Sequence, residues 1–152
     1  WMIHGRGLND RINNLHERAL RITYQDTEST FQELLEADNS VSIHHRNLQI
    51  LATKLFKIFR NESPSMLKEI FCIKDTPYNL RNNVTFKRRK FCSTKFGSNT
   101  LSFLGPKIWE SLPDSLKSLE SLTIFKSEIK KWIPVDCPCN LCKSYVLNLG
   151  YV

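Results

Sequence analysis

Apolar residues recur at spacings of three and four over most of this chain, a period that commits it to helices. From Leu8 to Tyr24 the recurring set is Leu8, Ile12, Leu15, Ala19 and Ile22, one stripe, with Arg11, Arg18 and Arg21 on a different face. Thr30 stands three residues before Glu33, the capping-box spacing, and a short helix through Phe31, Leu34 and Leu35 is expected to end near Asn39. The next helix opens at Ser42 or Ile43 and runs to about Asn61. Leu48, Leu51, Ala52, Leu55, Ile58 and Phe59 form its buried face, with Arg46, Lys54, Lys57 and Arg60 off that face. Ser63-Pro64 restarts the chain into a short helix carrying Met66, Leu67, Ile70 and Phe71. Gly105-Pro106 opens another, with Pro in the first turn, and Pro113 stops it. The last spans roughly Leu119 to Ile133, capped by Ser118 or Ser121, with Leu122, Phe125, Ile129 and Trp132 as its stripe. Each stripe is expected to be buried, because burial is the main driving force available to such helices.

The stretch from Val84 to Phe103 breaks this period. Thr85, Phe86, Phe91, Thr94, Phe96, Leu101 and Phe103 are β-prone, and Gly97-Ser98-Asn99 supplies a turn between them, so one small hairpin is expected there. The fold class is therefore mainly α, with one small β-hairpin and a cysteine-containing tail. The organisation follows: a helical subdomain over 1–71, a basic loop and hairpin over 72–103, C-terminal helices over 104–134, and a tail over 135–152.

Charge is concentrated rather than spread. Between Thr76 and Trp109 there is no Asp or Glu, while Arg81, Lys87, Arg88, Arg89, Lys90, Lys95 and Lys107 supply seven positive charges. The whole chain carries 22 basic and 15 acidic residues, a net charge of +7, so everything outside that stretch sums to zero. Such a run favours a polyanion, nucleic acid first. Lys87, Arg88, Arg89 and Lys90 are the leading candidates for phosphate contact, with Arg11, Arg18 and Arg21 as a second ridge. The same four residues also fit a nuclear-localisation signal. Phe86, Phe91 and Phe96 either anchor the hairpin or stack on bases.

Five cysteines, an odd number, and no secretory signal point away from a disulfide framework and towards a reducing, intracellular setting. No apolar run reaches the length of a membrane span, so no membrane partner is expected. Cys137, Cys139 and Cys142 are close enough to offer three thiolates to zinc, but no fourth ligand follows them; Cys72 or Cys92 completes a site only if the fold brings one near. Plain reduced thiols are the other reading. His44 and His45 are adjacent on a helix, about 100° apart, which does not suit one metal. Neither a nucleophilic triad nor a glycine-rich phosphate loop is discernible. The opening Trp1-Met2-Ile3 reads as a cut through an element of a longer polypeptide.

Four strings, in order, carry a resemblance. They are Asn14-Leu15-His16-Glu17-Arg18-Ala19-Leu20-Arg21, Ser42-Ile43-His44-His45-Arg46-Asn47-Leu48-Gln49, Tyr78-Asn79-Leu80-Arg81-Asn82-Asn83 and Ser102-Phe103-Leu104-Gly105-Pro106-Lys107-Ile108-Trp109. With the closing Cys137-Pro138-Cys139-Asn140-Leu141-Cys142-Lys143, the chain resembles the region after the polymerase palm in reverse transcriptases of LINE-type, non-LTR retrotransposons of the jockey and chicken-repeat kind. The resemblance implies a thumb-like first subdomain. It implies a noncatalytic fragment of an RNA-directed DNA polymerase, whose partners are an RNA template or RNA–DNA duplex and the fingers and palm of the parent polypeptide. The setting it implies is a ribonucleoprotein in nucleus and cytoplasm. The family's paired aspartates, which hold magnesium ions in the palm, have no counterpart here: the sequence contains no Asp-Asp pair. Magnesium therefore belongs to the absent palm, no catalytic residue carries over, and the chain is not expected to be an enzyme on its own. Some members end in a zinc-knuckle-like cluster, from whose spacing Cys137, Cys139 and Cys142 depart. The alternative is a helical interaction module remaining from an inactive element, without specific nucleic-acid binding.

Overall fold

Three of the described helices end in a left-handed turn made by a side-chain amide residue, Gln or Asn, rather than by glycine. The structure is a computed structural model that describes residues 6–73, 86–87 and 100–132. Its helices are α1 (Arg6–Tyr24), α2 (Phe31–Ala37), α3 (Ile43–Phe59), α4 (Ser65–Ile70), α5 (Leu101–Ser111), α6 (Asp114–Lys117) and α7 (Leu122–Glu128). After α1, α2 and α3 the chain turns left-handed at Gln25 (φ 52°), Asn39 (φ 51°) and Asn61 (φ 60°). In each case the next amide donates back across the last turn: Asp26 to the Arg21 carbonyl at 3.2 Å, Ser40 to Leu35 at 2.9 Å, Glu62 to Lys57 at 2.9 Å. Such bonds satisfy carbonyls the helix leaves unpaired, and asparagine tolerates the left-handed region better than most side chains.

The protein is mainly α, and the chain divides into two compact units, 1–48 and 49–152. In the first unit, Leu20 of α1 meets Leu34 and Leu35 of α2, with Phe31 partly buried against them. The His16 ring lies edge-on to Phe31, centroids 5.7 Å apart. The predicted capping box forms: Glu33 N–H donates to Thr30 Oγ1 at 3.4 Å, and the Thr30 N–H donates to Glu33 Oε2 at 2.6 Å.

The stripe of α1 departs from expectation. Leu8 is 50% exposed, Leu15 65% and Ile22 79%, and Ala19 is exposed as well. The buried positions are Asn9 and Leu20. At about 100° per residue, Leu20 sits roughly 120° around the helix from the stripe's midline. The periodicity is real, but the side it marks is not the side on which α2 packs.

The second unit is built on aromatic rings. Phe56 of α3 stacks on Phe125 of α7 with centroids 4.1 Å apart, and Phe59 lies 5.7 Å from Trp109 of α5. Phe86 meets Trp109 at 5.4 Å and Phe71 at 6.0 Å, both edge-on. Trp109, Phe56 and Phe125 are fully buried, and each ring buried on this scale contributes about 1.5–3 kcal/mol. Gly105 sits directly against the Phe71 ring, where a Cβ would overlap the ring edge.

Gln49 of α3, itself buried, donates from Nε2 to the carbonyls of Lys130 (3.2 Å) and Trp132 (3.0 Å), satisfying two backbone acceptors in the segment that follows α7. Arg60 lies over the faces of Phe56 and Phe59, 5.6 and 5.7 Å from their centroids, and donates to the Leu119 carbonyl.

Three further expectations are corrected: the second arm of the hairpin, the start of a helix at Gly105-Pro106, and the length of the last helix. Leu101 and Phe103, expected in the second arm of a hairpin, belong to α5, which begins at Leu101 and carries Pro106 inside it. The buried Leu104, Ile108 and Leu112 continue a helical period through Gly105-Pro106, and that burial overrides local β preference. The last helix is shorter than expected, and α6 stands as a separate turn between Pro113 and Ser118. The turn expected at Gly97-Ser98-Asn99 lies outside the described residues. Within them, the pairing seen is one antiparallel bridge between Ile73 and Phe86, with Lys87 N–H donating to the Cys72 carbonyl at 2.7 Å.

Candidate nucleic-acid interface

Of the acid-free stretch the structure describes residues 86–87 and 100–109, and at the first pair the side chains alternate as extended backbone requires. Phe86 is buried against Trp109 and Phe71, and Lys87, the next residue, is exposed. Phe86 is thus a core anchor rather than a stacking platform for bases. Lys107, also in the acid-free stretch, is partly buried, with Nζ 4.4 Å from the centroid of the Phe103 ring. Arg88, Arg89 and Lys90 lie outside the described residues.

The three arginines of α1 fall into two groups. Arg11 and Arg18 are exposed. Arg21 is partly buried and committed internally: Nε and Nη2 donate to Glu17 Oε1 at 3.1 and 2.8 Å, and Nη2 also donates to the Ser29 carbonyl at 2.9 Å. Its guanidinium clasps the α1–α2 turn. Asp26 completes that turn by accepting from the N–H groups of Glu28 and Ser29, both at 2.9 Å, and from Ser29 Oγ at 2.6 Å. The hydrogen bond from the Ser29 hydroxyl, then those from the two amides, hold the Asp26 carboxyl below its ordinary range. The Thr30 amide and hydroxyl do the same for Glu33. Tyr24 donates to Asp38 Oδ1 at 2.9 Å, and that bond raises the phenol.

Cys137, Cys139, Cys142 and Cys92 lie outside the described residues. Cys72 is exposed just past α4, its Sγ 3.6 Å from the Lys68 carbonyl and 3.5 Å from that of Glu69. Among the described residues no group of three His, Cys, Asp or Glu side chains is placed to hold a metal ion, and no helix is long and apolar enough to cross a membrane. His44 is buried at the start of α3, its ring 6.1 Å from that of His45.

Sequence reasoning missed one surface, the exposed apolar face of α1 beside Arg11 and Arg18. The signal that marks it is the lack of any acid next to the stripe, since Asp10 and Glu17 are both on the far side of the helix. No protein-family model, no curated protein and no solved structure matches this chain.

Proposed function

We propose that this chain is the noncatalytic C-terminal region of an RNA-directed DNA polymerase from a LINE-type retrotransposon. It grips template–primer duplex or element RNA beside a palm carried elsewhere in the parent polypeptide. The observation that carries the reading is the concentration of the whole net charge between Thr76 and Trp109, the stretch that also contains two of the family-like strings. The burial of Phe86 supports it, because it ties the start of the basic run to an aromatic core and leaves Lys87 facing outward. Arg11 and Arg18 are secondary contacts in this reading; Arg21 serves the α1–α2 turn instead.

Salt titration tests the proposal. Each phosphate neutralised releases condensed counterion, so affinity for single-stranded or duplex nucleic acid falls steeply with salt. Replacing Lys87, Arg88, Arg89 and Lys90 together with Ala is expected to flatten the log–log slope by about four if all touch phosphate, and by about two if one strand face does. An unchanged slope rejects this stretch as the contact. A second reading, a helical interaction module without specific nucleic-acid binding, is favoured by the exposed apolar face of α1.

A further inference from the structure

We propose that the outward face of α1 is a docking seam for a second amphipathic helix, one whose own apolar seam is flanked by acidic residues. The inference does not rest on the nucleic-acid reading: it shares only Arg11 and Arg18 with it, and uses none of the residues between Thr76 and Trp109.

Leu8, Ile12, Leu15, Ala19 and Ile22 follow one another by four, three, four and three residues, the spacing of a coiled-coil seam. Leu8, Leu15 and Ile22 are at least half exposed, and Leu15 and Ile22 are among the most exposed large apolar side chains described. The line from Leu8 to Ile22 runs about 21 Å along the helix. It is narrow, as a helix-to-helix seam is, whereas a lipid-facing helix presents a broader apolar face, usually with aromatic residues. Ala19 lets a partner backbone approach closely at one level. Within the first unit α2 does not cover this face, because it packs around Leu20 and His16.

Charge selects the partner. Arg11 and Arg18 stand on one edge of the seam, each immediately before a seam residue, and both are exposed. The acids of α1, Asp10 and Glu17, are on the opposite side of the helix, and Glu17 is engaged by Arg21. The seam's open edge is therefore positive along its length. A second copy of this chain is a poor match. An antiparallel pair sets Arg11 of one copy beside Arg18 of the other, and a parallel pair sets Arg11 beside His16. Glutamates flanking the partner's seam satisfy both arginines in either orientation.

The test uses the full 152-residue chain, isotope-labelled and titrated by NMR with two synthetic three-heptad peptides. Both carry Leu at the seam positions; one has Glu and the other Lys at the flanks. The acidic peptide is expected to shift amides within 8–22 and to bind about tenfold more tightly than the basic one, as expected for two exposed pairs changed from attraction to repulsion. Leu15→Ser, at an exposed position where folding is little affected, is expected to weaken binding about tenfold or more. Replacing Arg11 and Arg18 with Glu should invert the peptide preference. Four results overturn the proposal. These are no shifts at millimolar peptide, equal affinity for the two peptides, adsorption to phosphatidylserine vesicles that Leu15→Ser abolishes, or a dimer in sedimentation that Leu15→Ser dissolves. The last two assign the face to a membrane or to a second copy.

Discussion

The two units of this protein stay folded by different means. The first has a small apolar centre, Leu20, Leu34 and Leu35, and a dense set of short-range polar links: Glu17 to Arg21, Arg21 to Ser29, Asp26 to Glu28 and Ser29, Thr30 to Glu33. The second has a chain of rings, from Phe125 to Phe56 and from Phe59 through Trp109 to Phe86 and Phe71, which joins residues far apart in sequence. Exposed hydrogen bonds and ion pairs contribute about 1 kcal/mol or less apiece, whereas a buried ring contributes several times that. Stability should therefore be concentrated in a few residues of the second unit and distributed over many in the first.

Substitutions can break that comparison. Trp109→Ala removes the ring on which Phe59 and Phe86 both rest, and the expected loss is about 3–5 kcal/mol in urea unfolding. A loss near 1 kcal/mol would mean the ring chain is not what holds the second unit. Gln49→Ala leaves the carbonyls of Lys130 and Trp132 without their donor, and about 1–3 kcal/mol should go with it. In the first unit the comparable change is smaller: Thr30→Ala abolishes the capping box of α2 at about 1 kcal/mol, read as faster hydrogen exchange at the first α2 amides.

The smallest effects are those of pH. Asp26 and Glu33 have folded pKa values below their unfolded ones. Their contributions are present above the unfolded value, near 4, and disappear as pH falls through the folded value. Tyr24 is shifted the opposite way, so its contribution holds below its ordinary value near 10 and is lost as pH rises through the folded one. Unfolding midpoints followed from pH 7 down to about pH 2 check the acid limb, and Asp26→Asn should flatten it. An acid limb unchanged in that variant would show that the Asp26 turn is not the titrating element.

Local signals were legible in the sequence; directions of approach were not. The Thr30–Glu33 cap, the ends of α2 and α3 at Asn39 and Asn61, and helices centred near Leu15, Ala52 and Phe125 all follow from short spacings, while the helix through Trp109 begins four residues earlier than its Gly105-Pro106 signal. Periodicity fixes that Leu8, Leu15 and Ile22 share a side of α1, but the side on which α2 packs depends on where the α1–α2 turn aims the chain. Leu101 and Phe103 misled for the opposite reason, since their local preference yielded to the burial of Leu104 and Ile108. Phe56 was left out of the expected α3 face, which is wider than one stripe because it carries both the stack on Phe125 and the contact of Phe59 with Trp109. Of the candidate site, the Glu17–Arg21 pair is a four-residue spacing that sequence shows, whereas the Ser29 carbonyl that completes the Arg21 clasp is not.

The reach of the Gln49 side chain sets a clock on synthesis. Its acceptors lie 81 and 83 residues downstream, while the polar links of the first unit span at most 14. On the ribosome the first unit has all its partners soon after residue 48 emerges. The second must wait for Trp132, about 4–17 s later at typical elongation rates of about 5–20 residues per second. Within that interval the acid-free stretch from Thr76 to Trp109 is made while Phe56 still lacks Phe125, so its seven positive charges are synthesised before that ring stack can close.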